Sequence, residues 1–368
     1  MRYYSLTNIL KKNAKYNMVF GERSNGKTYS VLELIIKNYL KHGRQGAIIR
    51  RWQEDFKGKR AATYFDSLVC NGNNENKIAE LSGGKYDRIA YYSGRWFMAN
   101  YDTKLNKVIP AAEPFCFAFS LTDNEHDKSA GSYRLVTTIL FDEFMTRGMY
   151  LPDEFVLMCN CLSTIIRDRS DATIFMCANT VDMIGCPYLK EMGLKHVRQM
   201  KKGDIDVYQY GTSGLRVAVE YSDSPNKNGK PSDVYFAFDN DKLKMITGGD
   251  FELDFYPHIT GHIKPENIIF SYFIIYEDAI IQADIVQTDK ECFTHMHPKT
   301  TDIKNPEKDI IFTTEANPLN NHIGRLTKPI NKAIRKLYMF FAADKVFYSD
   351  NETGEIVSKY LQWSNSMR

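Results

Sequence analysis

The sequence predicts an α/β protein: a phosphate-loop NTPase domain built on a mostly parallel sheet, then a linker or lid and a smaller α+β domain. Three observations carry the sheet and its loop. Residues 21–30 (GERSNGKTYS) space two glycines, a lysine and a threonine as G-x-x-x-x-G-K-T. Short, almost wholly apolar runs alternate with helix-like segments from residue 16 to about residue 200. One of those runs, TTILFDEF (137–144), ends in two adjacent acids.

The first run, NMVF (17–20), reads as a strand. The loop follows, and residues 28–41 then place Val31, Leu32, Leu34, Ile35, Ile36, Tyr39 and Leu40 at helical spacing, with Gly43 where a helix would stop. Strand, glycine loop and helix in that order form a phosphate cradle. Glycines let successive N–H groups turn toward phosphate oxygens, and the positive end of the helix adds to the attraction. The nucleotide contacts are therefore expected from Gly21, Glu22, Arg23, Ser24, Asn25, Gly26, Lys27 and Thr28. Lys27 would reach the β- and γ-phosphates of ATP, and the Thr28 hydroxyl would ligand Mg²⁺. Arg23 reads equally as a cation near the phosphates or as a solvated side chain.

Four more strands are expected at 47–51, 115–121, 134–141 and 172–178, with a hairpin insertion over 84–109 and a polar loop over 70–84. Near-continuous apolar strands among helices imply a parallel sheet covered on both faces. At the C-terminal edge of such a sheet, Asp142 and Glu143 would face the phosphate loop. Asp142 would complete the Mg²⁺ shell, and Glu143 would act as general base on the attacking water. Asn179, at the end of the fifth strand, is a candidate γ-phosphate sensor. Pro152, Asp153 and Glu154 open a helix that ends near Arg167 and Arg169. Either arginine, Arg169 first, could serve a neighbouring subunit's nucleotide as a finger, and Lys128 in the polar stretch DNEHDKSAGS is a further candidate.

After about residue 203 the pattern changes to short strands at 207–210, 215–221 and 233–238, broken by SDSPNKNGKPS (222–232). The expected division is an ATPase domain over 1–205, a linker or lid over 206–247 and a second domain over 248–368. In that last domain strands are expected at 268–276, 279–287 and 309–313, and a basic helix near 325–342.

Composition sets the outer limits. A chain of 368 residues, 43% hydrophobic and 25% charged, is ordinary for a globular protein of two domains. Seven cysteines, an odd number without paired spacing, point to reduced thiols in a cytoplasm. Cys159-x-Cys161 and His295-x-His297 are too isolated to read as metal sites. The N-terminal stretch has no long apolar core, and the greasiest run, IIFSYFIIY (268–276), is too short to span a bilayer, so no membrane role is expected. Residues 1–60 hold 14 Lys/Arg against 4 Asp/Glu, a balance of +10 that leaves −7 for the rest of a chain totalling +3. A basic lobe of this kind suits nucleic acid, or forms a solvated face.

GERSNGKT, then ILFDEF, then CANT after an arginine-bearing helix, resembles the large terminase subunit of tailed phages, and most of all the compact packaging ATPase of small podoviruses. The resemblance implies an ATPase of the additional-strand type that works as a ring of subunits, a pentamer, and drives double-stranded DNA into a procapsid through the portal, in the host cytoplasm and transiently docked at the portal vertex. It places the metal acid on Asp142, the catalytic glutamate on Glu143 and a coupling motif on Ala178-Asn179-Thr180. It also implies RNase H-like nuclease descent for the second domain. Active nucleases of that lineage need several carboxylates around two metals. IIFSYFIIY carries Ser271 and Tyr272 and no acid, while Asp250, Glu252 and Asp254 lie upstream and Asp284 and Asp289 on or beyond the next strand. The nuclease is therefore expected to be vestigial, and the domain to dock on portal or nucleic acid, RNA included. A helicase or plasmid-transfer ATPase of the same fold, and a nucleotide-gated scaffold with negligible turnover, are the competing readings. Glu143 argues against the scaffold.

Overall fold

In the computed structural model of this chain, residues 4–70, 75–123, 133–146, 150–179, 183, 185–223, 256–259, 263–328 and 332–366 are described, and the chain divides into two compact units, Met1–Phe251 and Glu252–Arg368. The first unit runs α1 (Thr7–Leu10), β1 (Tyr16–Gly21), α2 (Lys27–His42), β2 (Gln45–Arg50), α3 (Gly58–Ala62), α4 (Asp66–Val69), α5 (Lys77–Ser82), β3 (Arg88–Tyr92), β4 (Arg95–Asp102), β5 (Lys107–Pro110), β6 (Cys116–Ser120), β7 (Val136–Asp142), α6 (Glu154–Ile166), β8 (Thr173–Asn179), α7 (Pro187–Glu191), β9 (Ile205–Tyr210) and β10 (Leu215–Ser222). Its sheet has the order β3-β4-β6-β2-β7-β8-β1-β10-β9, with β5 added to β4. Strands β6, β2, β7, β8, β1 and β10 are parallel, while β4 and β9 join antiparallel.

The apolar runs are continuous because both faces of the sheet are buried. Alternate residues divide between two cores. Met18, Phe20, Ala47, Ile49, Ile139, Phe141, Ile174 and Met176 face α6, which contributes Met158, Cys161, Leu162 and Ile165. Val19, Ile48, Leu140 and Phe175 face α2, which contributes Val31, Leu32, Ile35 and Ile36. Each of those four α2 side chains stabilises the packing by about 1.5–3 kcal/mol. The helix stops where the sequence predicts: Gly43 caps it at φ 65 and donates to the Tyr39 carbonyl at 2.8 Å.

The region expected as a linker over 206–247 begins inside the sheet. Strands β9 and β10 form a hairpin whose second strand pairs in parallel with β1 over six residues, from Tyr16↔Val217 to Gly21↔Ser222. Val217, Ala218 and Val219 are buried, which ties β10 to the core on both faces. The change of pattern after about residue 203 suggests that the first domain ends at 205, whereas the first unit runs to Phe251, near the expected start of the second domain at 248. The expected strand 233–238 lies outside the described residues, as do Asp250, Glu252 and Asp254.

The second unit runs β11 (Ile268–Tyr276), β12 (Ala279–Gln287), β13 (Cys292–Pro298), β14 (Ile311–Thr313), β15 (His322–Ile323), α8 (Lys332–Ala342), β16 (Val346–Tyr348) and α9 (Asn351–Ser366). Its sheet order is β15-β14-β11-β12-β13-β16. β11, β12 and β13 form an antiparallel meander, and β14 joins β11 in parallel. The run IIFSYFIIY is β11, so its apolar content fills a sheet. Among the described residues no helix is long and apolar enough to cross a membrane. β13, β16 and α9 are elements that apolar periodicity did not pick out. Of the helix expected near 325–342, residues 325–328 are not helical, and α8 is described from Lys332 to Ala342.

One polar cluster on this meander sets a testable property. Asp284 on β12 is 4% exposed and accepts hydrogen bonds from Ser271 at 2.6 Å, Gln282 at 2.9 Å and His297 at 3.0 Å. Burial pushes its pKa up, but the three donors outweigh that and hold it below the usual carboxylate value. The bond to Asp284 raises the pKa of His297. Asp284 therefore contributes stability above about pH 4 that is lost as pH falls through its depressed value; His297 contributes below about pH 6.5 and loses this as pH rises through its raised value. Replacing Asp284 with alanine strands the donors and should cost about 1–3 kcal/mol in denaturant unfolding. The cost should be larger at pH 5.5 than at pH 8.5; equal costs at both would exclude the charged pair.

Candidate nucleotide-binding site

The loop between β1 and α2 opens the site. Gly21 starts it with no room for a side chain: a Cβ there would lie 2.8 Å from the Ser222 carbonyl oxygen, as well as against the Ser222 hydroxyl. Ser24 (φ 59) and Gly26 (φ 97) take left-handed conformations, and Gly26 is the residue on which α2 begins. This curl points backbone N–H groups toward one concavity. The loop is braced from outside. Asn25 donates to Ser222 Oγ at 2.9 Å, which donates to the Phe20 carbonyl at 3.0 Å. Tyr4 donates its N–H to the Asn25 carbonyl at 2.9 Å and its hydroxyl to Glu220 at 2.6 Å.

Lys27 folds back across the loop, donating to the carbonyls of Gly21 (3.1 Å) and Glu22 (2.6 Å) and to Asn25 Oδ1 (3.1 Å). Burial pulls its pKa down to about 8, against the opposing pull of Cys177, Asp142 and Glu22. Thr28 donates its hydroxyl to Asp142 Oδ1 at 2.8 Å. This brings together the two groups expected to hold Mg²⁺. Hydroxyl and carboxylate oxygens are the hard ligands that ion takes, so the donor set fits.

β7 delivers Asp142 and Glu143, but each has partners that the motif did not reveal. Arg50, the last residue of β2, donates to Asp142 Oδ2 at 3.0 Å, to Glu143 Oε2 at 2.8 Å and to Asp55 at 3.2 Å. Tyr64 donates to Asp142 Oδ2 at 2.6 Å. Arg51 turns the other way and bonds the backbone beyond β7 and the carboxylate of Glu154. Only the parallel pairing of β2 with β7 makes Arg50 readable, because it puts the two strand ends side by side. Tyr64 lies between α3 and α4 and gave no sequence signal.

A cleft of about 400 Å³ lies over this edge, lined by residues 24–28, Tyr29, Ser67, Cys70, Asp142, Glu143, Ala178 and Asn179. Most of the expected residues therefore meet. Gly21, Glu22 and Arg23 lie in the loop but are not part of the cleft lining. Asn179 sits at the end of β8, between the strands carrying the loop and the acids. Arg169 does not join them. It precedes β8 and thus lies at the opposite sheet edge, where it pairs with Asp171 at 2.7 Å and donates to the carbonyls of Tyr133 and Ile165 at 3.2 Å. Arg167 follows the last residue of α6 with φ 51. Lys128 and Thr180 lie outside the described residues.

A glycine loop at a strand end, a hydroxyl–carboxylate pair and a second acid, with one strand between loop and acids, define the phosphate-loop class of α/β protein. The chain belongs to the family of the podovirus DNA encapsidation protein (Gp16), whose model matches residues 1–228. A DNA packaging protein of Bacillus phage B103 is 30% identical to it over 182 residues, 48% of either chain. One of Bacillus phage phi29 is 24% identical over 189 residues, 50% of this chain and 48% of that one. The chain spans about half the length of the curated relatives it matches. Among solved structures, the phi29 viral genome packaging motor assembly aligns over 98% of both chains with a TM-score of 0.55 at 18% identity. The Phi-28 gp11 DNA packaging motor aligns over 100% of this chain and 98% of that one, with a TM-score of 0.53 at 14% identity. At such identities the likeness is one of fold.

The depressed pKa of Lys27 has a consequence for binding. Phosphate oxygens favour the charged ammonium, so binding takes up a proton once the pH exceeds about 8. Affinity for a non-hydrolysable ATP analogue should fall above pH 8 by up to about tenfold per pH unit. Lys27→Met should bind weakly and without that dependence. Unchanged affinity in Lys27→Met would remove Lys27 from phosphate binding, and a pH-independent affinity in the unsubstituted protein would show that its ammonium is not depressed in the free site.

Proposed function

We propose that this chain is the ATPase subunit of a motor that moves double-stranded DNA into a procapsid through its portal. The observation that carries the reading is the Thr28–Asp142 hydrogen bond with Glu143 alongside, at the mouth of a loop that can hold phosphates. Membership of the encapsidation family supports the substrate and the partners. The sheet order, with β8 between β1 and β7, supports the additional-strand class.

In this reading the loop N–H groups and Lys27 hold the β- and γ-phosphates of ATP. Thr28 and Asp142 are the residues that would hold Mg²⁺. When bound, that ion neutralises charge on the phosphate oxygens. Glu143 takes the proton of the attacking water on its carboxylate, whose Oε2 is held by Arg50. Asn179 reads the γ-phosphate at the end of β8. Subunits assemble as a ring, a pentamer by resemblance, in the host cytoplasm at the portal vertex. The second unit is of RNase H-like descent, a reading supported by the order β13-β12-β11-β14-β15, in which β12 alone runs antiparallel to the other four. Ser271 occupies β11 where an acid would be needed, and Asp284 is engaged by Ser271, Gln282 and His297, which supports docking on portal or nucleic acid, RNA included, over cutting. Turnover stimulated by DNA would exclude a passive scaffold. Adding procapsids and asking whether DNA becomes protected from nuclease separates packaging from a helicase or transfer ATPase, which would translocate without them.

Glu143→Gln should bind ATP and hydrolyse it about 10²–10⁴-fold more slowly, measured as phosphate release. Near-normal turnover would remove Glu143 as the base. A finger supplied between subunits is worth about 10³–10⁵ in rate. Arg169→Ala alone should therefore be inactive, and mixing it with Glu143→Gln subunits should restore part of the activity, because some interfaces then pair an intact arginine with an intact glutamate. That role requires Arg169 to leave Asp171. A mixture as inactive as either variant, with assembly intact, passes the role to Arg167 or Lys128.

A further inference from the structure

We propose that Arg51 is a positioning residue that sets the carboxylate of Glu143 through the backbone, with Glu154 as its anchor. The proposal rests on the ATPase reading above.

Glu143 follows the end of β7 with φ 57, a conformation that side chains bearing a β-carbon disfavour. Two carbonyls of this turn are held by one guanidinium. Arg51 donates from Nη1 to the Glu143 carbonyl at 3.3 Å and from Nη2 to the Phe144 carbonyl at 2.9 Å. The guanidinium is itself fixed. Its Nε and Nη2 each lie 2.8 Å from a different oxygen of Glu154. Glu154 also accepts from the Leu151 N–H at 2.8 Å and the Tyr188 hydroxyl at 2.5 Å. Arg51 is 6% exposed and Glu154 1%, so neither side chain is free to wander in water.

The direction of these bonds argues for a task beyond packing. An ion pair needs only Glu154, whereas the donors to the carbonyls of residues 143 and 144 constrain the one turn that carries the base. Arg50 and Arg51 divide the two sides of that turn, the first touching the carboxylates and the second the backbone beneath them. A planar fork of five N–H donors can hold two carbonyls and a carboxylate together; a lysine's single ammonium cannot. Glu154 thus has a use that its place at the start of α6 did not suggest.

The test is a double-mutant cycle on the full chain. Arg51→Met with Glu154→Leu removes the charges as a pair while keeping apolar volume, which buried ion pairs tolerate. It should lower kcat for ATP hydrolysis by about 10- to 100-fold, the cost of displacing a reacting group by about an ångström. KM and affinity for a non-hydrolysable analogue should stay within about threefold. Added to Glu143→Gln, the same change should lower the residual rate by less than about twofold, since Arg51 then has no base to position. Arg51→Lys should recover only part of kcat. The proposal is overturned by an unchanged kcat, by a full additional loss on the Glu143→Gln background, or by a parallel collapse of binding and thermal stability. If the unsubstituted protein does not hydrolyse ATP, the ATPase reading fails instead. Hydrogen exchange then decides Arg51: faster exchange confined to the amides of residues 143–146 supports it, and no change overturns it.

Discussion

A buried carboxylate must find donors, and Asp142 finds them on three separate segments. Thr28 at the start of α2, Arg50 at the end of β2 and Tyr64 in the insertion all bond its two oxygens. Leaving such a group unpaired in a low-dielectric interior costs several kcal/mol. The loop, the sheet edge and the helices after β2 are therefore registered against one pair of atoms. β8 sets the spacing around them. Neighbouring strands lie about 4.8 Å apart, so one intervening strand separates the loop strand from the acid strand by roughly 10 Å. That gap is floored by Ala178 and Asn179.

The cations around this centre have distinct duties. Lys27 is held by loop carbonyls, so its charge is spread over neutral acceptors and can be handed to a stronger one. Arg50 sits between two carboxylates that would otherwise repel each other across a residue step. Arg51 and Glu154 are locked together by two hydrogen bonds and are withdrawn from solvent. The site thus separates a transferable cation at the start of α2 from a shared cation and a fixed one at the end of β2.

Much of this was legible in the sequence because it is local. G-x-x-x-x-G-K-T, the acids at the end of a buried run and the Gly43 helix stop each depend on a few consecutive residues whose spacing has one physical reading. What was not legible depends on register. Arg50 meets Glu143 only because β2 and β7 are parallel neighbours, and Ser222 meets Asn25 only because β10 lies beside β1. Arg51 and Glu154 lie far apart in the chain and show no pattern linking them. The expected domain end at 205 departs from the structure for the same reason: β10 looks like any short strand until its partner β1 is known. Of the acids considered for the second unit, Asp284 could not be told from a nuclease ligand by sequence, because its partners Ser271 and His297 come from the strands on either side.

The position of β1 has a consequence for biosynthesis. It is made early, yet Tyr16 is paired with Ile174 on one side and Val217 on the other. Neither neighbour exists when β1 leaves the ribosome, and closing such long loops is slow even when it is favourable. At about 5–20 residues per second, the strand waits on the order of ten seconds or more with both edges open. The phosphate loop, whose braces include Glu220 and Ser222, cannot take its working shape until the last strands of the unit are in place. The nascent chain thereby cannot shape its phosphate loop before the first unit is complete, and the apolar strand β1 is exposed to aggregation in the interval.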